Sequence, residues 1–374
     1  MTIILIGIAA FLLYLLQSAV YKYFWDRHLE VSLRFEDKCL QEGDTGWLTE
    51  IIENRKNLPL PMIKVKFQCS RELQFSDAGE TAVTDFYYRN DIFTVMPYKK
   101  ITRRLEFTGK KRGYYRIRSV DFVSADLFLS REFHRQEKSD TVCVVYPRPL
   151  DKSLVLPALR QVQGELQSRR QYIEDPFEYR GIREYQPFDE FKQVNWKATA
   201  RTGELKVNER GYTTRQGVRI FLNLTDAGIL KHADALEDTI RLCVTLCMEL
   251  LTAGNRVGVY ANSTDCLSKE VLRLSASTGK AHLESILMAL ARLDTEKEAE
   301  NFKDLFEDIL QEEKERYMTL FLSANLDTDF QQLVQEYGRD GSEYRWLYVS
   351  GEKKLPALLP GLEEKVIHVY VEGD

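Results

Sequence analysis

Cysteine and histidine are scarce in this 374-residue chain, and neither forms a pattern that could hold a metal ion. The six cysteines include no Cys-x-x-Cys pair, and the five histidines stand apart from one another. Zinc sites and thioredoxin-like motifs need closely spaced ligands or thiols, so the spacing argues against both classes. The cysteines are predicted to be reduced thiols that pack as small apolar side chains.

An excess of positive charge is also absent, because 57 acidic residues outnumber 52 basic ones and the net charge is −5. Nucleic-acid-binding proteins usually carry a basic domain, and none is visible here. Glycine-rich phosphate loops of the P-loop or dinucleotide-binding type do not occur either. We therefore predict no nucleic-acid partner and no cofactor. The length and the 44% share of hydrophobic residues are typical of a globular chain with two domains.

A long uncharged run, Ile3–Val20, lies at the N-terminus. As a helix it spans about 27 Å, close to the thickness of the hydrocarbon layer of a bilayer. Aromatic residues that predict an interfacial belt follow at once: Tyr21, Tyr23, Phe24 and Trp25. The alternative is a cleaved signal peptide, but no Lys or Arg precedes the run and no small-residue cleavage site follows it. Residues 1–25 are therefore predicted to be a retained, single-pass anchor.

The charges beside this run predict its orientation. Lys22 and Arg27 flank its C-terminal side, and no basic residue stands on the other side. Basic residues are enriched on the cytoplasmic side of membrane spans. We therefore expect a protein of the cell membrane with the bulk of the chain in the cytoplasm.

Residues 29–150 contain short alternating runs separated by turn signals and no long amphipathic helix. The predicted strands are Leu29–Phe35, Ile63–Phe67, Asp91–Tyr98, Ile101–Phe107, Tyr114–Val123 and Thr141–Tyr146. Strands at this spacing indicate an antiparallel β-sandwich, immunoglobulin-like in the broad sense. The basic group Lys110–Arg112 could contact lipid phosphates or could form a solvated hairpin turn.

Residues 165–212 form a connector dense in charge, with near-balanced signs that favour mutual pairing. Asp189 is predicted to cap a helix over residues 190–200, and Gly203 to end it. The charged and aromatic residues are expected to brace the connector internally.

The connector carries the pattern Gly-Ile-Arg-Glu-Tyr-Gln-Pro, then Asp189, then Val-Asn-Trp-Lys-Ala-Thr-Ala-Arg. This pattern resembles the signature of the domain-of-unknown-function-58 (DUF58) family. The residues that match are Arg183, Tyr185, Pro187, Asp189, Trp196, Lys197, Ala200 and Arg201. Phe188 departs from the pattern, because the family usually has glycine there. Five of these residues (Arg183, Tyr185, Asp189, Trp196 and Arg201) are expected to lock the connector onto the following domain.

Residues 213–374 alternate apolar strands with amphipathic helices, which predicts a parallel, doubly wound α/β sheet. The predicted helices are Ala233–Leu251, His282–Leu293, Phe302–Glu312 and Asp329–Tyr337. The predicted strands are Val218–Leu224, Val257–Ala261, Tyr317–Leu322, Tyr344–Val349 and Val366–Val371. This order resembles a von Willebrand factor type A domain, which the DUF58 family commonly carries at this position.

Metal-binding type A domains end their first strand in Asp-x-Ser-x-Ser, and here the aligned residues are Asn223, Thr225 and Ala227. Asp226 stands one position off the pattern. Mg²⁺ prefers carboxylate and water oxygens, so the loss of the first carboxylate predicts a degenerate site that binds no metal. After the later strand, Ser323-Ala324-Asn325 offers no replacement carboxylate. The surface near these residues is instead expected to receive a protein partner.

A non-enzymatic, membrane-anchored interaction protein is the predicted function. Relatives in the family tend to be encoded beside MoxR-type AAA+ ATPases, so the resemblance implies such an ATPase as partner, in the assembly or maturation of envelope or secreted complexes. One alternative is a metal-dependent adhesion module. A second is a hydrolase that uses the carboxylates of the connector, but arginines lie among them and hold carboxylates ionised.

Overall fold

The computed structural model describes residues 2–372 except 77–81, 84–85, 171–173, 188, 213–216, 227–232, 314, 316 and 340. The predictions for Phe188 and Ala227 therefore lie outside the described residues. The chain divides into two units: Met1–Arg148 with Leu290–Arg292, and Pro149–Ala289 with Leu293–Asp374.

The first unit opens with helix α1, Thr2–Phe24. Its strands are β1 (Leu29–Phe35), β2 (Cys39–Gln41), β3 (Thr45–Asn54), β4 (Leu60–Ser70), β5 (Leu73–Phe75), β6 (Ala82–Val83), β7 (Phe86–Val95), β8 (Lys100–Gly109), β9 (Gly113–Ala125) and β10 (Glu132–Tyr146). One sheet has the order β1-β3-β8-β5, and the other has the order β2-β10-β9-β4-β7-β6. Inward-facing side chains of both sheets form a single apolar core, so the predicted β-sandwich is present.

Pairing within the sandwich is antiparallel except between β2 and β10, which run parallel. Strand β3 was not predicted, although its buried and less buried residues alternate along ten positions. The basic group Lys110–Arg112 lies in the connection between β8 and β9, which belong to different sheets, and Arg112 is buried. Arg112 donates to the Leu290 carbonyl at 2.7 Å and is therefore unavailable to lipid phosphates. The predicted solvated hairpin turn is also wrong, because the segment crosses between the two sheets.

The end of α1 is built into this sandwich. Tyr21 and Trp25 are 3% and 6% exposed and belong to the core. The Tyr21 hydroxyl donates to the Pro59 carbonyl at 2.8 Å, and the Trp25 ring contacts those of Phe122 and Phe133. The predicted interfacial belt is therefore wrong for these two residues, because protein and not lipid covers them.

The second unit contains helices α2 (Lys152–Arg170), α3 (Trp196–Thr202), α4 (Ala233–Thr252), α5 (Lys280–Ala291), α6 (Phe302–Glu312) and α7 (Thr328–Arg339). Its strands are β11 (Glu174–Glu184), β12 (Lys206–Tyr212), β13 (Gly217–Asn223), β14 (Arg256–Thr264), β15 (Val271–Ser277), β16 (Met318–Ser323), β17 (Tyr344–Ser350) and β18 (Val366–Tyr370). Strands β11 and β12 form a separate antiparallel pair, which is the connector.

The remaining strands form one sheet of order β15-β14-β13-β16-β17-β18. All pairs are parallel except that of β14 with the edge strand β15, so the sheet is doubly wound as predicted. Every residue of β13 is buried, because helices cover both faces of the sheet. Phe221 and Phe321 pack with α6 and α7, and α4 contacts β13, β14, β16 and β17.

Helix α2 was not predicted, and it begins within the segment that was expected to lead into the connector. It contacts α4 and β18. Glu165 on this helix accepts a hydrogen bond of 2.6 Å from Nε of Arg345 on β17. The first residues assigned to the connector from sequence thus belong to a helix that packs on the α/β sheet.

Candidate functional site

A polar cavity opens at the carboxyl edge of the α/β sheet, where β13 and β16 end. Ligands of doubly wound sheets bind at this edge. The cavity has a volume of about 490 Å³. It is lined by Asn223, Thr225, Ala299, Glu300, Asn301, Phe302, Lys303, Asn325, Asp327, Asp329, Phe330, Gln332, Leu333 and Glu336. Two of the three predicted positions, Asn223 and Thr225, therefore line it, and Asp226 is half-buried beside them.

Asn262, at the end of β14, organises this edge although the sequence analysis did not single it out. The side chain is fully buried. Its Oδ1 accepts from the Leu224 backbone N–H at 2.8 Å, and its Nδ2 lies 2.9 Å from both Thr225 Oγ1 and the Glu300 carbonyl oxygen. The amide therefore joins the ends of β13 and β14 to the segment that enters α6.

Asp327 and Asp329 place carboxylates in the cavity that the sequence analysis missed. The predicted positions end at Asn325, but the chain turns back after β16. The Asn325 carbonyl Oδ1 accepts from the Asp327 N–H at 2.8 Å, and the Asn325 amide donates to Asp327 Oδ2 at 2.8 Å. A turn of this kind brings a residue two positions further on to the strand end.

The residues at this edge do not fit a Mg²⁺ site. Asn223 Oδ1 already accepts from the Thr225 N–H at 3.1 Å, and Thr225 Oγ1 accepts from Asn262. Mg²⁺ is bound through carboxylates with near-octahedral geometry. Over the described parts of the chain, no group of three or more His, Cys, Asp or Glu side chains could hold a metal ion.

Calorimetric titration of the detergent-solubilised protein with Mg²⁺ or Mn²⁺ is expected to give no heat of binding, because the oxygens at the strand end are engaged by amides. Asn223→Asp, which restores the first carboxylate of the metal-binding pattern, is the matched comparison. A saturable heat in the unaltered protein that Asn223→Ala abolishes supports the adhesion-module alternative instead.

In the connector, Arg183 and Asp189 form a paired contact. The two guanidinium Nη atoms each lie 2.6 Å from a carboxylate oxygen, and the Gln186 N–H donates to Asp189 Oδ2 at 2.7 Å. The hydrogen bonds from Arg183 hold the pKa of Asp189 below its ordinary value despite the opposing effect of desolvation. Asp189 therefore remains a carboxylate near neutrality and is poorly suited to act as a general acid.

The prediction that Asp189 caps a helix over residues 190–200 is wrong. The chain forms a 3₁₀ turn at Phe191–Gln193 and then helix α3, whose cap is Asn195. Asn195 Oδ1 accepts from the Ala198 N–H at 3.0 Å, whereas the Asp189 carboxylate is occupied by Arg183. Gly203 ends the helix in a left-handed conformation, φ 76°, as predicted.

Four signature residues on α3 share one exposed face, which we call the signature face: Trp196, Lys197, Ala200 and Arg201. All four are exposed, and positions i, i+1, i+4 and i+5 lie together on a helix. Trp196 is 63% exposed, so the expectation that its ring braces the connector is wrong. The opposite side of α3 faces the connector, where Thr199 Oγ1 accepts from the Lys206 N–H at 3.0 Å.

Other signature residues hold the turn that leads to α3. The Tyr185 ring lies 5.8 Å from that of Phe191, centroid to centroid, and the Tyr185 N–H donates to the Leu205 carbonyl at 3.0 Å. Pro187 is exposed in the turn that follows β11. Lys206 Nζ contacts Glu184 and Glu204 at 3.3 and 3.2 Å. Among the described side chains of the connector, Arg183 and Lys206 are thus paired internally, as predicted, whereas helix α3 exposes its signature residues.

A family model matches a part of the chain that contains both helix α3 and the residues lining the cavity. Residues 181–341 match the model of the family described as "Protein of unknown function DUF58". The match supports the DUF58 family that the signature indicated. Among curated proteins, no significant match to this chain is found.

Three solved structures that resemble part of this chain are distant from it in sequence. The CARDB domain of a Pyrococcus furiosus protein in complex with di-metal ions is 11% identical, over 32% of this chain and 94% of that chain, with a TM-score of 0.22. A non-cellulosomal cohesin from Archaeoglobus fulgidus is 9% identical, over 34% and 97%, with a TM-score of 0.22. A cohesin module from Clostridium perfringens is 7% identical, over 30% and 98%, with a TM-score of 0.20. Likeness at this level carries no argument about function.

Proposed function

We propose that this chain is a membrane-anchored, non-enzymatic protein-interaction protein, and that the signature face of α3 is a contact surface for its partner. The observation that carries the proposal is the exposure of Trp196. A tryptophan that serves packing alone lies in a core, whereas tryptophan and arginine on a surface are typical of the energetic centre of protein interfaces.

The charge of the signature face supports the same proposal. Among the described residues, no ion pair or hydrogen bond engages the side-chain nitrogens of Lys197 or Arg201. Unlike Arg183 and Lys206, these two cations are available to a partner. Exposed apolar side chains of the connector lie near them in sequence: Ile182, Phe191 and Leu205. An apolar centre with cations beside it fits a protein surface that presents an apolar pocket and carboxylates.

Helix α1 supports the anchor. Of the described helices, Thr2–Phe24 alone is long and apolar enough to cross a membrane, although a signal sequence has the same properties. Helix α1 continues unbroken from the apolar run to Phe24, and Tyr21 and Trp25 lie in the core of the sandwich. Cleavage after the run would therefore cut a helix that is part of the folded unit. We therefore propose a retained, single-pass anchor of the cell membrane, with Lys22 and Arg27 on the cytoplasmic side.

For the α/β domain we propose a von Willebrand factor A-like module with a degenerate metal edge. Its cavity is lined by Glu300, Asp327, Asp329 and Glu336 against a single cation, Lys303. This lining suits a basic side chain of a protein partner better than an anion. The partner that the DUF58 resemblance implies is a MoxR-type AAA+ ATPase, acting in the assembly or maturation of envelope or secreted complexes.

Binding of the purified MoxR-type ATPase from the same source to the detergent-solubilised chain tests this function. Trp196→Ala and Arg201→Glu are each expected to weaken binding about thirtyfold, the loss that about 2 kcal/mol at an interface centre produces. Surface plasmon resonance with the ATPase in solution measures the change.

Matched variants away from the signature face should bind as the unaltered chain does. Leu267→Ala removes another exposed apolar side chain, and Lys280→Glu reverses another exposed charge. The proposal fails if Trp196→Ala and Arg201→Glu bind with unchanged affinity, or if the two controls weaken binding equally.

A further inference from the structure

The loop between β9 and β10 presents three consecutive apolar side chains to its surroundings. Leu127, Phe128 and Leu129 are 50%, 59% and 58% exposed. Single exposed apolar residues are common on proteins, but a contiguous group at the tip of a hairpin marks an interaction site. We call these three residues the apolar tip.

The apolar tip lies against α1 within the apolar run. The Phe128 ring is 6.3 Å from the Tyr14 ring, centroid to centroid, and the Tyr14 hydroxyl is 3.0 Å from Ser130 Oγ. One helical turn further along, Gln17 Nε2 donates to Asp126 Oδ2 at 3.1 Å. Three contacts therefore hold the loop against the helix, and all of them lie within one unit of the chain.

The position of Tyr14 along α1 shows how deep the loop lies in a bilayer that α1 spans. Tyr14 stands six residues before Val20, where the uncharged run ends, and this distance is about 9 Å along a helix. The run as a whole is about as long as the hydrocarbon layer is thick. A bilayer that covers the run must therefore also reach the level of the apolar tip.

Several polar groups of the loop are paired within it, which lowers the cost of placing the loop in lipid. Asp126 is fully buried, and its carboxylate accepts from the Ser130 N–H at 2.6 Å and from the Ser130 hydroxyl at 2.5 Å. The Leu129 N–H donates to the Asp126 carbonyl at 3.0 Å, and the Asp126 N–H donates to the Arg131 carbonyl at 3.1 Å. The loop thus gathers these polar groups around the buried Asp126 and turns its apolar side chains outward.

The backbone conformation of Leu129 indicates that hydrogen bonds fix the outward orientation of the apolar tip. Its φ is 57°, in the left-handed region that leucine rarely adopts. The hydrogen bonds around Asp126 close the turn and leave Leu129 no extended conformation. A relaxed solvent loop would more simply have glycine or asparagine at this position.

We propose that the apolar tip inserts into the bilayer beside α1 and forms a second membrane contact that fixes the depth and tilt of the sandwich unit. The inference rests on the proposed anchor, since the bilayer reaches the tip only where α1 spans it. Apolar side chains gain free energy when they leave water for hydrocarbon. A single helix leaves a domain free to rotate on the membrane surface, whereas a second contact restrains it.

Depth-dependent fluorescence quenching in liposomes of phosphatidylcholine and phosphatidylglycerol tests the proposal on the full chain. Phe128→Cys is labelled with a nitrobenzoxadiazole dye in a background that carries Cys39→Ser and Cys266→Ser, which removes the two thiols that are not buried. Lys111→Cys is the matched control, because Lys111 precedes the opposite end of β9, on the order of 40 Å away. Leu127→Cys supplies a second position within the tip if Phe128→Cys does not fold.

The dye at position 128 is expected to be quenched by doxyl-labelled lipid and to be about threefold less accessible to aqueous iodide than the dye at position 111. Equal quenching by iodide at both positions overturns the proposal. Protection from iodide without quenching by doxyl lipid also overturns it, since a protein surface then covers the tip. Extraction of the same liposomes with carbonate separates the two proposals. A chain that carbonate removes from the liposomes has no anchor. A chain that stays in the liposomes while iodide quenches the dye at position 128 refutes only the insertion of the tip.

Discussion

Glu50→Gln is expected to make the sandwich unit more stable at pH 8 by up to about 5 kcal/mol, while leaving its stability near pH 4.5 almost unchanged. Glu50 lies on β3 between the core residues Leu48 and Ile52 and is 1% exposed. Among the described residues, neither carboxylate oxygen has a hydrogen-bond partner. An isolated carboxylate in an apolar core is costly to ionise.

Burial raises the pKa of Glu50 from 4.5 to about 8, and the charge of Asp91 adds to the increase. Arg103 and Arg89 oppose it, but both donate to Asp91, at 2.8 and 2.6 Å. Asp91 is thus the better-paired carboxylate of the two, and Glu50 is kept neutral.

The direction of the pH effect follows from the protons bound by each state. Between pH 4.5 and about 8 the folded protein keeps the Glu50 proton and the unfolded chain has lost it, so stability falls as the pH rises. The decline is about 1.4 kcal/mol per pH unit and ends once the folded carboxyl ionises. Glutamine has the same shape and no charge, and the variant should therefore lack this decline.

Hydrogen exchange of the β3 and β8 amides in the solubilised protein measures the effect, with both proteins compared at each pH so that intrinsic exchange rates cancel. Glu53→Gln is the control, because Glu53 lies on the same strand and is ion-paired with Arg55 near the surface. An identical pH dependence in the unaltered chain and Glu50→Gln would mean that Glu50 is ionised or solvated in the folded state.

Elements with strong local signals could be predicted from the sequence. Helix α6 was predicted at the bounds it has, because an asparagine cap precedes a clear amphipathic pattern. Strand β15 was missed because it is a half-exposed edge strand in which only Leu272 is buried. Helix α2 was not predicted because it contains Pro157 and is weakly amphipathic. Both depend on packing against the rest of the sheet more than on their own sequence.

The candidate site was harder to predict, because its geometry depends on competition between side chains. Asp189 has the chemistry of a helix cap, but Arg183 from β11 binds its carboxylate more strongly than backbone N–H groups can. Asp327 reaches the cavity through a turn that a fixed motif spacing does not anticipate. Sequence alone also cannot say whether a signature tryptophan faces inward or outward.

Trp346→Ala and Trp196→Ala are expected to differ sharply in stability, and the comparison tests the outward orientation of the signature face. Trp346 is fully buried, and its ring meets that of Phe330 edge-on at 5.1 Å between centroids. Its removal should lower the free energy of unfolding by about 3–5 kcal/mol, through lost burial and the cavity left behind. Trp196→Ala should change it by no more than about 0.5 kcal/mol.

Urea unfolding of the two variants and the unaltered chain, followed by circular dichroism in the same detergent, measures both values. If Trp196→Ala proves as destabilising as Trp346→Ala, the ring is packed inside the molecule in solution. The signature would then be a brace, as the connector's paired charges first indicated, and the partner would need another surface. If only Trp346→Ala destabilises, the tryptophan of the signature contributes nothing to folding, and its presence calls for a contact outside the chain.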